Sequence, residues 1–270
     1  MTSFVVRRTL GGVTVAALAA LAVLALVVAP PDRVQGDAQR LMYLHVPAAW
    51  VAYLAFAVTS LASALYLFRR TRHARWDRLA AGSAELGVLF TAVTIALGSL
   101  WGRPVWGVWW AWDARLVTTL VLLFLYTGYL ALRRVPADPD ARARRSAIAA
   151  LVAFVDVPVV HFSVMWWRTL HQQPTVLNPE LNPQIHGVMA TTLWVGVLAF
   201  TALYVTLLWT RCRLAADEAA AETSALSVAV NRRRAAAGLP TLGEVGAPTG
   251  PDGRPIEHSP VDKAEGMVHQ

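Results

Sequence analysis

Two histidines in this 270-residue chain lie where they could bind a common ligand. His45 comes just before a proline at the start of one apolar segment, and His171 follows the last apolar residues of another. Imidazole is a frequent metal ligand, so two histidines at equal depth on one side of a helix bundle can approach a ligand from opposite faces. For either histidine alone, a role as a hydrogen-bonded polar residue is the alternative.

A tryptophan-rich segment separates the two histidines. It runs Trp101-Gly-Arg-Pro-Val-Trp-Gly-Val-Trp-Trp-Ala-Trp-Asp113 and contains five of the chain's 11 tryptophans. If residues 106–113 form one or two helical turns, their positions i, i+3, i+4 and i+7 share one face. We therefore expect a flat aromatic surface formed by Trp101, Trp106, Trp109, Trp110 and Trp112. The alternative is a belt at the membrane interface, but a belt places tryptophans at each helix end rather than in one loop.

Two charged residues follow at the start of the next apolar segment. Asp113 is a good N-cap whose charge complements the positive end of the helix dipole, so a purely structural role is the alternative to ligand binding. Arg115 gains nothing from that dipole and therefore favours an anionic partner. This partner is either a ligand carboxylate held by the forked guanidinium or a lipid phosphate.

Heme matches this set of side chains. It is flat and apolar, its iron accepts two axial histidines, and its two propionates need polar partners. Chlorophylls and quinones match less well, because neither requires two opposed imidazoles. The sequence therefore predicts heme as the ligand, with imidazoles for its iron, an aromatic surface for its ring and a cation for a carboxylate.

The composition indicates that membrane helices position these residues. Hydrophobic residues make up 56% of the chain and charged residues 15%, which is too apolar for an ordinary soluble domain. The single cysteine, Cys212, excludes a disulfide framework, a cysteine-based metal cluster and a Cys-x-x-Cys-His heme attachment motif. The arginines lie between the apolar segments, which indicates membrane topology and argues against nucleic-acid binding.

Six apolar segments are long enough to cross a bilayer core about 30 Å thick. Arginines flanking these segments number 14 on one side and 5 on the other, so the positive-inside rule predicts that both termini are cytoplasmic. We predict an all-α polytopic membrane helix bundle with six transmembrane helices. The predicted spans are Leu10 to Ala29, Pro47 to Phe68, Gly82 to Leu100, Ala114 to Leu132, Ser146 to Trp167 and Gly187 to Thr210.

The chain changes character after the sixth span. We predict a membrane domain over residues 1–212 and a cytoplasmic region over 213–270, with a helix at 215–235 followed by a disordered tail. Within the fifth span, Asp156 and His161 are ionisable groups at membrane depth. No partner histidine is found in spans two, three, four or six, so His161 is interpreted as a packing or hydrogen-bonding residue. The role of His186 is left open.

The motif residues are similar to a known family. The run from Trp101 to Leu116 resembles the tryptophan-rich "WWD" signature of the heme-handling proteins of cytochrome c assembly. The flanking segments, His45-Val-Pro-Ala-Ala and His161-Phe-Ser-Val-Met-Trp-Trp-Arg-Thr-Leu-His171-Gln, resemble the heme exporter protein C branch of that family, also called cytochrome c maturation protein C. The resemblance covers about residues 1–212.

The resemblance implies a multi-pass protein of the bacterial inner membrane that is not an enzyme. It implies that heme b is held at the periplasmic face between His45 and His171 and is passed to a membrane-anchored heme chaperone, maturation protein E. By the same resemblance, Asp113 and Arg115 lie at the edge of a heme platform formed by Trp101, Trp106, Trp109, Trp110 and Trp112. The implied partners are the ATPase and membrane subunits of an ABC transporter, a small single-span subunit and the lipid bilayer.

The sequence leaves three other functions to weigh, of which a plain channel or transporter does not explain the tryptophan-rich segment. A heme lyase would itself attach heme to apocytochrome c, and the lack of a large soluble outer domain counts against it. A b-type electron-transfer subunit would need histidines paired across neighbouring helices within the bilayer.

Overall fold

The computed structural model describes residues 2–172 and 185–245, and most of these residues are helical. No β-strand occurs within those ranges. The helices are α1 (Thr2–Val23, extended by a π-helical turn over Leu24–Val28), α2 (Met42–Leu67, preceded by a 3-10 turn over Asp37–Leu41), α3 (Ala74–Trp106), α4 (Ala114–Arg134), α5 (Pro139–Phe154), α6 (Asp156–Trp166), α7 (Gly187–Ala236) and α8 (Leu242–Val245).

Six of these segments are long and apolar enough to cross a membrane. They are α1 with its extension, α2, α3, α4, the α5–α6 pair and α7. The predicted all-α bundle with six transmembrane helices is confirmed, whereas the cytoplasmic placement of both termini stays a prediction. We call the end at which α2, α4 and α7 begin the Trp end, and the opposite end the Arg end.

Local sequence signals explain where several helices begin and end. Gly107 adopts a left-handed conformation with φ of 78° and ends α3, which is the usual position for a C-terminal glycine. The side chains of Asp113 and Asp138 cap the first turns of α4 and α5. The fifth span is interrupted at Val155, three residues before Pro158, because proline cannot donate a backbone hydrogen bond within a helix.

Two apolar cores hold the helices together. One is shared by α1, α2, α3 and α7, and the other by α2 to α6. The helices approach closely at small residues, as is common in membrane bundles. A Cβ atom on Gly87 of α3 would collide with the ring of Phe56 on α2, and that ring stacks on Tyr126 of α4 with centroids 3.8 Å apart. Gly196 of α7 likewise leaves room for Pro47 of α2.

Ion pairs join helices at the Arg end. Arg133 near the end of α4 makes two bonds of 2.6 and 2.8 Å to the carboxylate of Asp77 at the start of α3. Arg211 of α7 binds Glu85 of α3 in the same two-pronged way, at 2.6 and 3.1 Å. Paired charges of this kind can be partly buried without large cost.

The chain divides into two compact units, Met1–Leu214 and Ala215–Gln270. All the residues discussed below as a site belong to the first unit. In the second unit, residues 215–236 are helical as part of α7 and are followed by the single turn of α8. The predicted domain boundary at residue 212 stays a prediction, and residues 246–270 of the predicted tail lie outside the described residues.

Candidate functional site

A cavity of about 530 Å³ lies inside the bundle toward the Trp end. This volume is in the range of about 300–1,000 Å³ typical of small-molecule sites. Its wall is formed by α2, α3, α4, α6 and α7 together with the connections that follow α3 and α6. Seven of the nine predicted site residues line it: His45, Trp101, Trp106, Trp109, Trp110, Arg115 and His171.

The two predicted histidines are brought together in this cavity. The ring centroids of His45 and His171 are 6.5 Å apart, with 35° between the ring planes. Metal–imidazole bonds of about 2 Å on each side of an ion put the two ring centroids about 6 Å apart. The observed separation therefore suits one metal ion between the two rings.

Each histidine ring is held through its Nδ1 atom by a backbone carbonyl. Nδ1 of His45 donates to the carbonyl oxygen of Thr94 at 3.0 Å, and Nδ1 of His171 donates to the carbonyl oxygen of Gln172 at 3.1 Å. A nitrogen that donates to a carbonyl carries the hydrogen, so Nε2 of each ring keeps its lone pair. A hydrogen bond from one ring nitrogen to a backbone carbonyl also orients histidine ligands in metal sites.

The position of His45 differs from the prediction. The second span begins at Met42 rather than at Pro47, so His45 lies in the first turns of α2 instead of in the preceding loop. Its ring packs against α3, where the absence of a side chain at Gly98 makes the approach possible. A Cβ atom on Gly98 would lie 2.9 Å from Cε1 of His45.

His171 lies in the connection after α6, and Thr169 helps to hold its backbone. The Oγ1 atom of Thr169 donates to the carbonyl oxygen of His171 at 2.9 Å. Burial of the His171 ring, together with the nearby charge of Arg115, lowers the pKa of this imidazole from its ordinary value. The side chain therefore favours the neutral form, which is the form that binds metals.

The hypothesis that residues 106–113 form a helical turn is wrong. Trp106 is the last residue of α3, and residues 107–113 form an extended connection before α4. The physical reason is the left-handed conformation of Gly107, which ends the helix. The aromatic wall therefore has two sources: Trp101 and Trp106 come from α3, and Trp109 and Trp110 come from the connection.

Polar contacts fix this aromatic wall. The hydroxyl of Ser99 on α3 donates to the carbonyl oxygen of Trp109 at 2.7 Å, which holds the connection against the helix. The indole nitrogen of Trp101 donates to Oε1 of Gln35, in the loop after α1, at 2.9 Å. Two indole rings of this wall also contact the histidines edge-on. The ring centroids are 5.8 Å apart for Trp101 and His45 and 6.2 Å apart for Trp106 and His171.

Two predicted site residues lie outside the cavity wall. The side chain of Trp112 is 79% exposed and packs against Trp110. Asp113 instead connects two chain segments: its Oδ1 accepts the N–H of Leu116 at 2.9 Å, and its Oδ2 accepts the N–H of Leu170 at 3.1 Å. The carboxylate of Asp113 thus joins the start of α4 to the residue before His171.

Arg115 lines the cavity with a positive charge. Its Nε donates to the hydroxyl of Ser163 at 3.2 Å and its Nη2 to the carbonyl oxygen of His161 at 2.9 Å, and both partners are neutral. In the part of the chain that the structure describes, Arg115 forms no ion pair. A carboxylate-bearing ligand would supply the missing negative charge.

The structure also places residues on the wall that the sequence analysis did not assign to the site. His161, interpreted as a packing residue, and Tyr53 both line the cavity. Tyr53 follows His45 at the helical spacing i+8, a signal that could have indicated a shared face. Gly98 gave no signal, because its role depends on a contact with another helix. His186 is exposed and does not line the cavity.

Among the described residues, six helices are long and apolar enough to span a membrane, and five of these spans line an apolar cavity that contains two neighbouring histidines. These features define a polytopic membrane protein with a candidate small-molecule site near one end. The family model described as "Heme exporter protein C" matches residues 2–227. The chain belongs to the heme exporter protein C family.

Individual relatives agree with this assignment. The chain is 41% identical to "Heme exporter protein C" of Bradyrhizobium diazoefficiens over 179 residues, which are 66% of this chain and 67% of that protein. It is 38% identical to "Heme exporter protein C" of Escherichia coli K12 over 185 residues, 68% of this chain and 73% of that protein. A "Putative cytochrome c biosynthesis ccmC-like mitochondrial protein" of Marchantia polymorpha is 38% identical over 184 residues, 68% of this chain and 76% of that protein. The predicted family resemblance is confirmed, and these names fit heme transport in cytochrome c biogenesis.

Replacing Asp113 with alanine should weaken the binding of added heme about tenfold, equal to about 1.4 kcal/mol. The variant loses the acceptor that ties the His171 segment to α4. The measurement is a heme titration followed by visible absorption. Asp138→Ala is the matched control, since Asp138 also caps a helix with its side chain but lies at the Arg end. Equal heme affinities for the two variants would show that Asp113 has no positioning role.

Replacing Gly98 with alanine should displace the His45 ring and weaken its bond to the carbonyl of Thr94. We expect a lower heme affinity and a loss of the absorption bands of iron bound by two imidazoles. Gly128→Ala is the control, because Gly128 is also within a helix but a Cβ there meets no atom within 4 Å. That control should keep the heme affinity and gain about 1 kcal/mol of helix stability.

Proposed function

We propose that this protein binds heme b at the outer face of the bacterial inner membrane and presents it to a membrane-anchored heme chaperone, maturation protein E. Membership of the heme exporter protein C family supports the general part of this function, a role in heme handling for cytochrome c biogenesis. The membrane location is supported by the six spans.

The pairing of His45 with His171 carries the proposal. The ring centroids of the two imidazoles are 6.5 Å apart, and each ring has Nδ1 bonded to a backbone carbonyl and Nε2 left with its lone pair. Heme iron takes axial ligands of this kind on opposite faces of its ring. We assign His45 and His171 as the axial ligands of the heme iron.

The remainder of the cavity suits the macrocycle. Trp101, Trp106, Trp109 and Trp110 give the wall a large apolar aromatic area, which matches a flat apolar ring. Arg115 supplies a cation for one propionate, and its two neutral hydrogen-bond partners hold the guanidinium at the wall. Asp113 contributes indirectly, by positioning the segment that carries His171.

The protein would act by orientation, because reactivity resides in the heme itself. Heme held at its iron and at one carboxylate keeps another ring edge available for contact with the chaperone. The heme exporter name supports a transport role rather than catalysis. It also supports membership of a heme export complex, in which we place an ABC transporter ATPase, its membrane subunit and a small single-span subunit.

The outward direction of the site rests on arginine distribution. The Trp end has fewer flanking arginines than the Arg end, and by the positive-inside rule this supports a periplasmic Trp end and cytoplasmic termini. Heme presented at the Trp end would then be on the side where c-type cytochromes are assembled.

The ligand assignment predicts a specific spectroscopic result. Purified wild-type protein with added heme should show the low-spin absorption bands of two imidazole ligands, and His45→Ala or His171→Ala should lose them, with at least tenfold weaker binding. His186→Ala is the matched control, because His186 is exposed and off the cavity wall. Full low-spin bands in the double variant lacking His45 and His171 would overturn the assignment.

The proposed role of Arg115 predicts that binding depends on the heme carboxylates. Arg115→Gln should bind heme about tenfold more weakly than wild type but should bind heme dimethyl ester, in which both propionates are uncharged, as tightly as wild type does. Arg168→Gln, which changes an exposed arginine in the connection after α6, is the control. An equal loss of affinity for both ligands would assign Arg115 a purely structural role.

A further inference from the structure

The cavity continues beyond the His45–His171 pair toward the Arg end. On α2 its wall runs from His45 to Tyr53, which is about 12 Å along a helix axis. On α6 it includes His161, about 7 Å inside the end of that helix at Trp166. We call this deeper part the inner chamber and define it by Tyr53, Thr119, Leu122, Val160 and His161.

Most of the inner chamber is apolar or already hydrogen-bonded. Leu122 and Val160 belong to the buried core, and the hydroxyl of Thr119 donates to the carbonyl oxygen of Arg115 at 2.7 Å. The exceptions are His161 and Tyr53, whose rings contact edge-on with centroids 6.2 Å apart. Within the described residues, the two ring nitrogens of His161 have no hydrogen-bond partner. The hydroxyl of Tyr53 has none there either.

Aromatic packing alone does not explain a histidine at this position. The centroid of the His161 ring lies 5.0 Å from that of Phe162 and 6.2 Å from that of Tyr53. A phenylalanine at position 161 would make the same contacts without placing polar ring atoms there. Polar groups inside a membrane are costly and usually mark a ligand path. Neutral imidazole on the wall of a cavity that contains two other facing histidines offers a third ligand for the same iron.

Arg115 connects the inner chamber with the outer histidine pair. Its guanidinium donates to the carbonyl oxygen of His161, and its side chain lines the same cavity as His45, His171 and Tyr53. One cation is therefore within electrostatic range of both levels of the cavity. A heme carboxylate bound to Arg115 can stay in place while the iron changes its axial ligand.

The geometry points to an inner heme position in which His161 binds the iron, with Tyr53 beside it, before the heme reaches His45 and His171. This inference rests on the proposed function, because heme is the cargo at both levels. Moving outward breaks the bond between iron and His161 and forms the bonds to His45 and His171. The exchange leaves the oxidation state of the iron unchanged and consumes no proton, since all three imidazoles bind in the neutral form.

The test uses full-length protein in lipid nanodiscs in which the outer position is disabled by His45→Ala and His171→Ala. Ferric heme is added, and binding is followed by absorption and electron paramagnetic resonance. We expect one equivalent to bind saturably with a high-spin spectrum, because a single imidazole replaces two. Adding His161→Gln to this double variant should weaken the remaining heme binding at least tenfold. In the double variant that carries His161→Gly instead, added free imidazole should restore part of the lost heme binding.

Two controls separate this inference from the proposed function. Adding His186→Gln to the double variant should change nothing, because that residue is off the wall. Adding Tyr53→Phe should alter the spectrum of the bound heme while leaving the protein folded, as judged by circular dichroism and gel filtration. Suppose that the wild type shows low-spin bands but the double variant binds no heme, or binds it independently of His161. That result would overturn the inner position and leave the outer site unaffected. A wild-type protein that binds no heme would overturn both.

Discussion

The site depends on the close approach of α2 to α3. Glycine on α3 permits this approach at two levels, with Gly87 facing the ring of Phe56 and Gly98 facing the ring of His45. These glycines are eleven residues apart, so they lie on nearly the same face of the helix. Because lipid provides no hydrophobic driving force between helices, such small residues are what allow membrane helices to pack in close contact. His45 reaches the carbonyl of Thr94 only because the two helices are this close.

The second half of the site is positioned by hydrogen bonds rather than by helix packing. Asp113 holds the segment before His171, Ser99 holds the connection at Trp109, and Gln35 holds the indole of Trp101. Each contact joins a non-helical segment to a neighbouring element through one polar bond. His45 is therefore held within a helix, whereas His171 belongs to a non-helical connection that single hydrogen bonds join to its neighbours.

The cavity combines an apolar wall with a few polar groups that have no charged or metal partner within the described residues. The rings of His45 and His171 and the side chain of Arg115 all line the same cavity. A ligand with a metal centre and a carboxylate, as proposed above, would match these three groups. Apolar area and a small number of polar groups that converge on the same space are the general features of small-molecule sites.

The sequence by itself determined the number of spans, the class of fold and seven of the residues that line the cavity. Hydrophobic length is a local property, and His45, His171, Arg115 and the tryptophan motif are recognisable from residue type and spacing. It did not determine that Gly107 would end α3, so that the four motif tryptophans on the wall come partly from α3 and partly from the connection after it. The choice between a helical turn and a left-handed cap depends on local backbone energies that spacing does not reveal.

Only the tertiary structure decided which of the candidates share one cavity. It put Trp112 and Asp113 outside the wall, brought His161 and Tyr53 onto it, and revealed the need for glycine at position 98. These outcomes depend on contacts between residues that are distant in the chain. The partner of a side chain is set by how the helices cross and how deep the residue lies, and the local sequence pattern does not encode either. This is the physical reason why the sequence could not predict them.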